Sequence, residues 1–138
     1  MGSRSAVGAL QLPVCLQGIE LGRPVDLLLE TETWRALGFV VRCRDESRRF
    51  LPYMASQPTD EEIAVGSALM LLDAVAFYAK RGVSFRSLLD GAVGGGILRD
   101  VIVSRDGVVT EIEIQRGDRV ERIPAAGARV LPTRATAA

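Results

Sequence analysis

The chain has 138 residues, of which 48% are hydrophobic and 25% are charged, so it is long enough for one ordinary packed domain or two very small ones. Its 17 basic and 17 acidic residues leave no net charge, which excludes the strong overall positive field that draws proteins to a phosphate backbone. His, the commonest general base and metal ligand, is absent. We therefore expect a protein that is not an enzyme, with no catalytic residue, no metal site and no cofactor.

Residues 1–13 are expected to form a flexible N-terminal tail. No sustained apolar segment precedes Pro13, so no signal peptide is visible. Cys15 and Cys43 each lie in an apolar run typical of a strand, where a free thiol behaves as a small hydrophobic group. We expect both thiols to be buried and reduced, which predicts a cytoplasmic location.

The first half of the chain is predicted to form a β-hairpin and a third, shorter strand. An apolar run at 25–30 and a second run at 35–43 are joined by the polar turn 31–34. The third strand covers 48–51 and ends at Pro52, because proline removes a backbone donor. A polar loop and a short strand at Ile63–Val65 complete this half.

The segment from Ser67 to Lys80 is predicted to be a helix that links two halves of the chain. Ser67 is a candidate N-cap and Gly82 a candidate C-terminal stop. Its apolar residues cover more than one stripe, which predicts a largely buried helix packed within the chain or, alternatively, in a homodimer contact. With Asp73 inside it, the segment is too short and too polar to span a membrane. Residues 84–90 fit a short helix or a strand equally well.

The second half repeats the pattern of the first. Strands are predicted at 97–103 and 108–115 around an Asp-Gly turn, with Val108, Thr110, Ile112 and Ile114 on the buried face. A third strand at 119–123 ends at Pro124, and a last short strand is predicted at 128–131. In the alignment of the halves the following residues coincide: Asp26 with Asp100, Phe39 and Val41 with Ile112 and Ile114, and Leu51-Pro52 with Ile123-Pro124.

The repeated pattern resembles the PRC-barrel family. The second half carries it as Gly94-Gly-Gly-Ile-Leu-Arg-Asp-Val-Ile-Val, Arg105-Asp-Gly-Val-Val-Thr-Glu-Ile-Glu-Ile, Arg122-Ile-Pro124 and Val130-Leu131. The first half carries Gly22, Val25-Asp26, Phe39 to Val41 and Leu51-Pro52, but it lacks the Asp-Gly turn. The tandem arrangement is similar to PRC-barrel-like bacterial proteins of high-GC actinobacteria.

The resemblance implies a mainly β fold of two tandem PRC-barrel-like small β-barrels joined by one α-helix. The expected divisions are a tail at 1–13, copy 1 at 14–66, the linking helix at 67–82, copy 2 at 83–132 and a C-terminal tail at 133–138. Known relatives include the cytoplasmic part of a photosynthetic reaction centre subunit and a domain of a ribosome maturation factor, neither of which is an enzyme. Whether the copies form separate barrels or exchange strands stays open.

Two features are candidates for partner binding. The arginines Arg42, Arg44, Arg48 and Arg49 flank one turn and would either be a solvated surface or contact RNA or another anion, although Asp45 and Glu46 share the turn. Trp34, the only tryptophan, lies in a polar turn, where it would either anchor a partner or fold back over the barrel mouth.

The resulting functional hypothesis is a non-catalytic module or scaffold that binds an unknown protein partner. The alternative is an accessory protein of RNA processing or ribosome assembly that binds RNA or a ribosomal protein.

Overall fold

The computed structural model describes residues 2–132 and is built mainly from β-strands. The strands are β1 Arg4–Ser5, β2 Val14–Leu16, β3 Ile19–Glu30, β4 Arg35–Cys43, β5 Arg48–Pro52, β6 Ser56–Pro58, β7 Ile63–Val65, β8 Val83–Ser84, β9 Ala92–Val93, β10 Gly96–Val103, β11 Val109–Arg116 and β12 Arg119–Pro124. The helices are α1 Ala6–Ala9, α2 Val75–Ala79 and α3 Phe85–Leu88, and single 3-10 turns occur at Tyr53–Ala55 and Ala68–Met70.

The strands form two curled sheets, each resembling half of a barrel. The larger sheet has the order β5-β4-β3-β2-β7-β6, with β8 also paired to β3. The smaller sheet has the order β1-β10-β11-β12, with β9 also paired to β10. Neighbouring strands are antiparallel except for β2 and β7, which run parallel. The mainly β class expected from the sequence is confirmed.

Both predicted hairpins form. The turn between β10 and β11 places Gly107 at φ +85°, a conformation that glycine adopts without steric cost. The predicted alternation of buried and exposed side chains in β11 is correct from Ile112 onward. Before Ile112 it is wrong, because Val109 is buried and Thr110 is exposed, the reverse of the prediction. The register shifts between Ile102 and Val103, and such a bulge exchanges the two faces of the strand at that point.

The predicted helix from Ser67 to Lys80 is wrong. The segment consists of the 3-10 turn at 68–70 and, after Asp73, the short helix α2, which contains no buried residue. Between them, Leu72 exchanges two backbone hydrogen bonds of 2.8 Å with Phe50 of β5, so the chain is extended at that point. The segment therefore covers part of the larger sheet, where Val75 and Tyr78 pack against the cluster around Phe50. Its other large apolar residues, Leu69, Met70 and Phe77, stay exposed.

Two terminal predictions also need correction. The stretch predicted as an N-terminal tail contains β1 and α1, and Ala6 in α1 is fully buried. Residues 128–131, predicted as a closing strand, lie outside the strands, although the Leu131 amide donates to the Ala92 carbonyl at 3.1 Å. Residues 133–138, predicted as a C-terminal tail, lie outside the described residues.

The two halves exchange the short segments with which each begins. Strand β1 precedes the predicted copy 1 and is counted here as the start of the first half. It pairs with β10 of the second half. Strand β8, at the start of the second half, pairs with β3 of the first. The helix that follows each short strand begins at a serine, Ser5 or Ser84, whose hydroxyl accepts a hydrogen bond from an amide in the helix. Each half is thus completed by a segment from the other.

Residues from both predicted halves share one cluster of buried side chains, which includes Phe39, Leu51, Phe85, Leu98 and Ile114. The sheets also meet directly through two backbone hydrogen bonds of 2.8 Å. The Ala36 amide donates to the Gly107 carbonyl, and the Val109 amide donates to the Trp34 carbonyl. A smaller second cluster of Leu28, Val40 and Phe50 lies on the other face of the larger sheet. Tyr78 of α2 covers it and stacks on Phe50 with ring centroids 3.9 Å apart.

Candidate functional site

The four predicted arginines do not form one cluster. Arg42 of β4 stands directly opposite Arg48 of β5, while Arg49 stands opposite Val41. Because successive strand residues point to opposite faces, Arg42 and Arg48 lie on one face of the sheet and Arg49 lies on the other. Arg44 lies beyond the end of β4, where its amide donates to the Leu21 carbonyl at 3.3 Å. The turn therefore divides its arginines between two surfaces.

On the first surface, a third arginine extends the pair. Arg23 of β3 stands opposite Arg42, so Arg23, Arg42 and Arg48 form a row across three neighbouring strands, which we call the arginine row. Two members are partly compensated, since Arg23 pairs with Glu20 at 3.4 Å and Arg42 with Glu46 at 4.0 Å. Arg23 is not recognisable as a member from the sequence, because only the register between β3 and β4 brings it beside Arg42.

On the second surface, Arg44 and Arg49 border an open groove of about 520 Å³, which we call the Leu69 groove. The groove is lined by Ile19, Glu20, Leu21, Cys43, Arg44, Asp45, Arg49, Ala68, Leu69 and Leu71. These residues come from the start of β3, from the turn after β4, from β5 and from the 3-10 turn at 68–70. Parts of the chain that are far apart in sequence thus build one surface.

Local backbone geometry exposes the apolar side chains of the groove. Gln17 and Gly18 both have positive φ angles, +48° and +82°, in the tight turn that leads into Ile19. At the 3-10 turn, the Ser67 hydroxyl accepts a hydrogen bond of 3.1 Å from the Leu69 amide. Ile19 is 65% exposed and Leu69 is 84% exposed, so both side chains are held in solvent by ordered turns.

Two arginines at the groove form no ion pair. Glu20 pairs with Arg23, and the Asp45 carboxylate accepts hydrogen bonds from the Ser47 hydroxyl and amide at 2.5 and 3.0 Å. These hydrogen bonds lower the pKa of Asp45, and the neighbouring Arg49 charge contributes to the same shift. Within residues 2–132, neither the exposed Arg44 guanidinium nor the partly buried Arg49 guanidinium has an ion pair or a side-chain hydrogen bond. The groove therefore combines an apolar lining with two arginines that form no ion pair.

The thiol of Cys43 lies in the groove and stays protonated at neutral pH. Burial raises its pKa above the ordinary value of 9.0, and the Asp45 charge adds to this shift. Burial likewise raises the pKa of Cys15, which is itself a core residue. Both cysteines are free thiols, as the sequence predicted, but Cys43 is only partly buried. Cys43 is therefore a lining group that is protonated at neutral pH and has limited access to solvent.

Trp34 is almost completely buried. Only 3% of it is exposed, and its indole Nε1 donates to the Ala128 carbonyl at 3.3 Å. Its φ of +52° is rare for a bulky residue. Its carbonyl group accepts the hydrogen bond from the Val109 amide that joins the two sheets. Of the two interpretations of Trp34, the structure agrees with the one in which the indole folds back into the protein.

Two further observations concern the described part of the chain. No group of three or more His, Cys, Asp or Glu side chains within residues 2–132 is placed to hold a metal ion. In the same range, no helix has both the length and the apolar character needed to cross a bilayer.

Comparison with models of known protein families gives no match, and comparison with curated proteins also gives none. The PRC-barrel resemblance therefore remains a prediction from the sequence pattern.

Proposed function

We propose that the protein is a non-catalytic module that binds another protein, and that the Leu69 groove is its docking surface. The observation that carries this proposal is the exposure of Ile19 and Leu69 beside one groove, each held there by an ordered turn. A single exposed apolar residue is ordinary on a protein surface, but apolar side chains grouped at a concave site are typical of interaction surfaces.

The groove also lies where the two halves differ. Its walls use the 3-10 turn at 68–70 and the turn at 44–47 between β4 and β5. In the second half, the corresponding strands β11 and β12 are joined by the two residues Gly117 and Asp118. A feature that only one half possesses is suited to a specific role, whereas features common to both halves serve the fold.

The experiment compares Leu69→Glu with Val120→Glu. Both residues are large, apolar and exposed, but Val120 lies on β12, away from the groove lining. Affinity capture from the native host is expected to recover the same protein partner with the wild type and Val120→Glu, and to lose it with Leu69→Glu. Equal recovery with both variants would exclude the groove as the docking surface.

A second candidate function is RNA binding through the arginine row, in ribosome assembly or RNA processing. The supporting observation is the alignment of Arg23, Arg42 and Arg48 on neighbouring strands, which gathers three guanidinium groups despite the zero net charge. Against it, Phe50, the aromatic residue on the same face, is fully buried and so offers no stacking surface to a base. The triple change Arg23→Glu, Arg42→Glu and Arg48→Glu is expected to abolish salt-sensitive RNA binding in a filter assay if this function is correct.

A further inference from the structure

We infer that the Leu69 groove takes a segment of a partner protein in which an acidic residue lies beside a large apolar residue. This inference rests on the proposed function and specifies the chemistry of the partner. It follows from two properties of the groove, its apolar lining and its two arginines, Arg44 and Arg49, that form no ion pair.

The apolar part of the segment would contact Ile19, Leu21, Leu69 and Leu71. Leu71 is buried and Leu21 half-buried, so they form a fixed floor, while Ile19 and Leu69 are exposed and would lose contact with water on binding. The volume of about 520 Å³ lies within the range of sites that hold compact ligands, and it is open enough to admit a side chain from outside. Removal of apolar surface from water is the favourable term in such a contact.

The acidic part of the segment would pair with Arg44. Among the four charged residues that line the groove, Asp45 lies beside Arg49, and Glu20 pairs with Arg23 outside the lining. In the described part of the chain neither Arg44 nor Arg49 forms an ion pair or a side-chain hydrogen bond, and Arg44 is the more exposed of the two. A guanidinium group binds a carboxylate through two parallel hydrogen bonds, which gives direction as well as affinity. A basic segment would instead meet an uncompensated like charge.

The test uses three synthetic ten-residue peptides that share a Leu-Phe core and carry Glu, Gln or Lys on both sides of it. Binding to the full-length protein is measured by fluorescence anisotropy of a label on the peptide at low salt. The Glu peptide is expected to bind on the order of tenfold more tightly than the Lys peptide, a difference that salt reduces. Arg44→Glu should reverse the order, so that the Lys peptide binds better, while Arg105→Glu at the exposed turn after β10 should leave the order unchanged.

A footprint locates the bound peptide. In a Cys15→Ser background, Cys43 is the remaining thiol, and it lines the groove. The Glu peptide is expected to slow alkylation of Cys43 by N-ethylmaleimide, and Leu69→Glu should remove this protection. Protection that persists in Leu69→Glu would place the peptide elsewhere and overturn the inference.

The outcomes separate the inference from the function on which it rests. If partner capture depends on Leu69, two peptide results would overturn the preference for an acidic segment and still leave the groove as the docking surface. In one the three peptides bind equally, and in the other none of them binds. Partner capture that does not depend on Leu69 overturns the proposed function itself. A dimer in analytical ultracentrifugation that Leu69→Glu dissociates would identify a second copy of this chain as the occupant and would also overturn the inference.

Discussion

The Ser5 hydroxyl donates a hydrogen bond to the Asp100 carboxylate, although the two residues are 95 positions apart in the chain. The reciprocal bond joins Ser84 to Asp26, which aligns with Asp100 in the internal repeat. Each carboxylate also accepts from two amides: Asp100 from Val7 at 3.0 Å and Val101 at 2.8 Å, and Asp26 from Arg86 at 3.2 Å and Leu27 at 2.8 Å. The exchange between the halves is therefore anchored at two equivalent points.

The first prediction concerns the Ser5–Asp100 bond. Asp100 is 7% exposed, so Asp100→Ala leaves buried donors unpaired and is expected to cost about 1–3 kcal/mol of unfolding free energy. Ser5→Ala should cost less, and the double variant should cost less than the sum, because the residues share one bond. Urea denaturation measures all three. The control is Asp106→Ala, which removes a bond to Ser104 within an exposed turn and should change the midpoint little. Strict additivity of Ser5→Ala and Asp100→Ala would contradict direct contact.

The second prediction concerns cooperativity. Because both halves share one buried cluster and exchange entry segments, the chain is expected to unfold in one transition. Trp34 reports on the junction of the sheets, and far-UV circular dichroism reports on all strands. Asp100→Ala should shift both midpoints equally. Separate transitions for the two probes would show that the halves unfold independently.

The third prediction concerns Trp34. Its burial predicts blue-shifted emission and weak quenching by acrylamide in the free protein, both of which change on unfolding. Trp34→Ala is expected to cost about 3–5 kcal/mol, because it leaves a large cavity at the sheet junction. Trp34→Phe should cost less, since a phenyl ring fills part of the space and the loss is limited to the remaining volume and the hydrogen bond to Ala128. Emission typical of exposed tryptophan would contradict the burial.

The fourth prediction compares two glycines. A Cβ at Gly38 would lie 2.3 Å from the Leu51 carbonyl oxygen, whereas a Cβ at Gly66 would meet no atom within 4 Å, and neither glycine has a positive φ. Gly38→Ala must therefore force β4 and β5 apart, at a cost of about 1–3 kcal/mol, and Gly66→Ala should be nearly neutral. Thermal denaturation of the two variants measures the difference. Equal melting temperatures would contradict the close packing at Gly38.

The fifth prediction is a pH dependence at Cys43. Burial and the Asp45 charge raise its pKa above 9.0, so less thiolate is present at a given pH than in an unfolded chain. In the Cys15→Ser variant, alkylation by iodoacetamide should therefore have a midpoint above pH 9.0, and denaturation should lower it. The unfolded chain has the lower thiol pKa and therefore loses this proton first as pH rises. The free energy of unfolding is thus expected to fall from about pH 9 upward. A midpoint below that of the denatured protein would contradict the burial of the thiol.

The sequence predicted the parts of the fold that depend on local patterns. The Asp-Gly turn and period-two alternation located β10 and β11, and the prolines at 52 and 124 marked the ends of β5 and β12. The helix at 67–80 failed because an apolar segment that covers an edge strand has the same composition as a buried helix. The N-terminal segment was missed because its partner, β10, is remote in sequence.

The candidate site was predicted only in part. Arg44 and Arg49 were identified from the charge of their turn, but strand parity places Arg49 on the opposite face from Arg42 and Arg48, and Arg44 lies beyond the end of β4. Leu69 lies in the segment that the sequence predicts as a largely buried helix, because the Ser67 cap and the apolar residues after it also fit the start of a longer helix. The groove depends on contacts between three remote segments, and no local pattern encodes such contacts.

The measurement that tests the central claim most directly is photocrosslinking from the groove. A benzophenone-maleimide label on Cys43 in the Cys15→Ser variant places the reactive group in the groove lining. Irradiation in extract of the native host is expected to give a discrete protein adduct, which Leu69→Glu removes and the arginine-row variant retains. Adducts that are unaffected by Leu69→Glu but lost from the arginine-row variant would contradict the account.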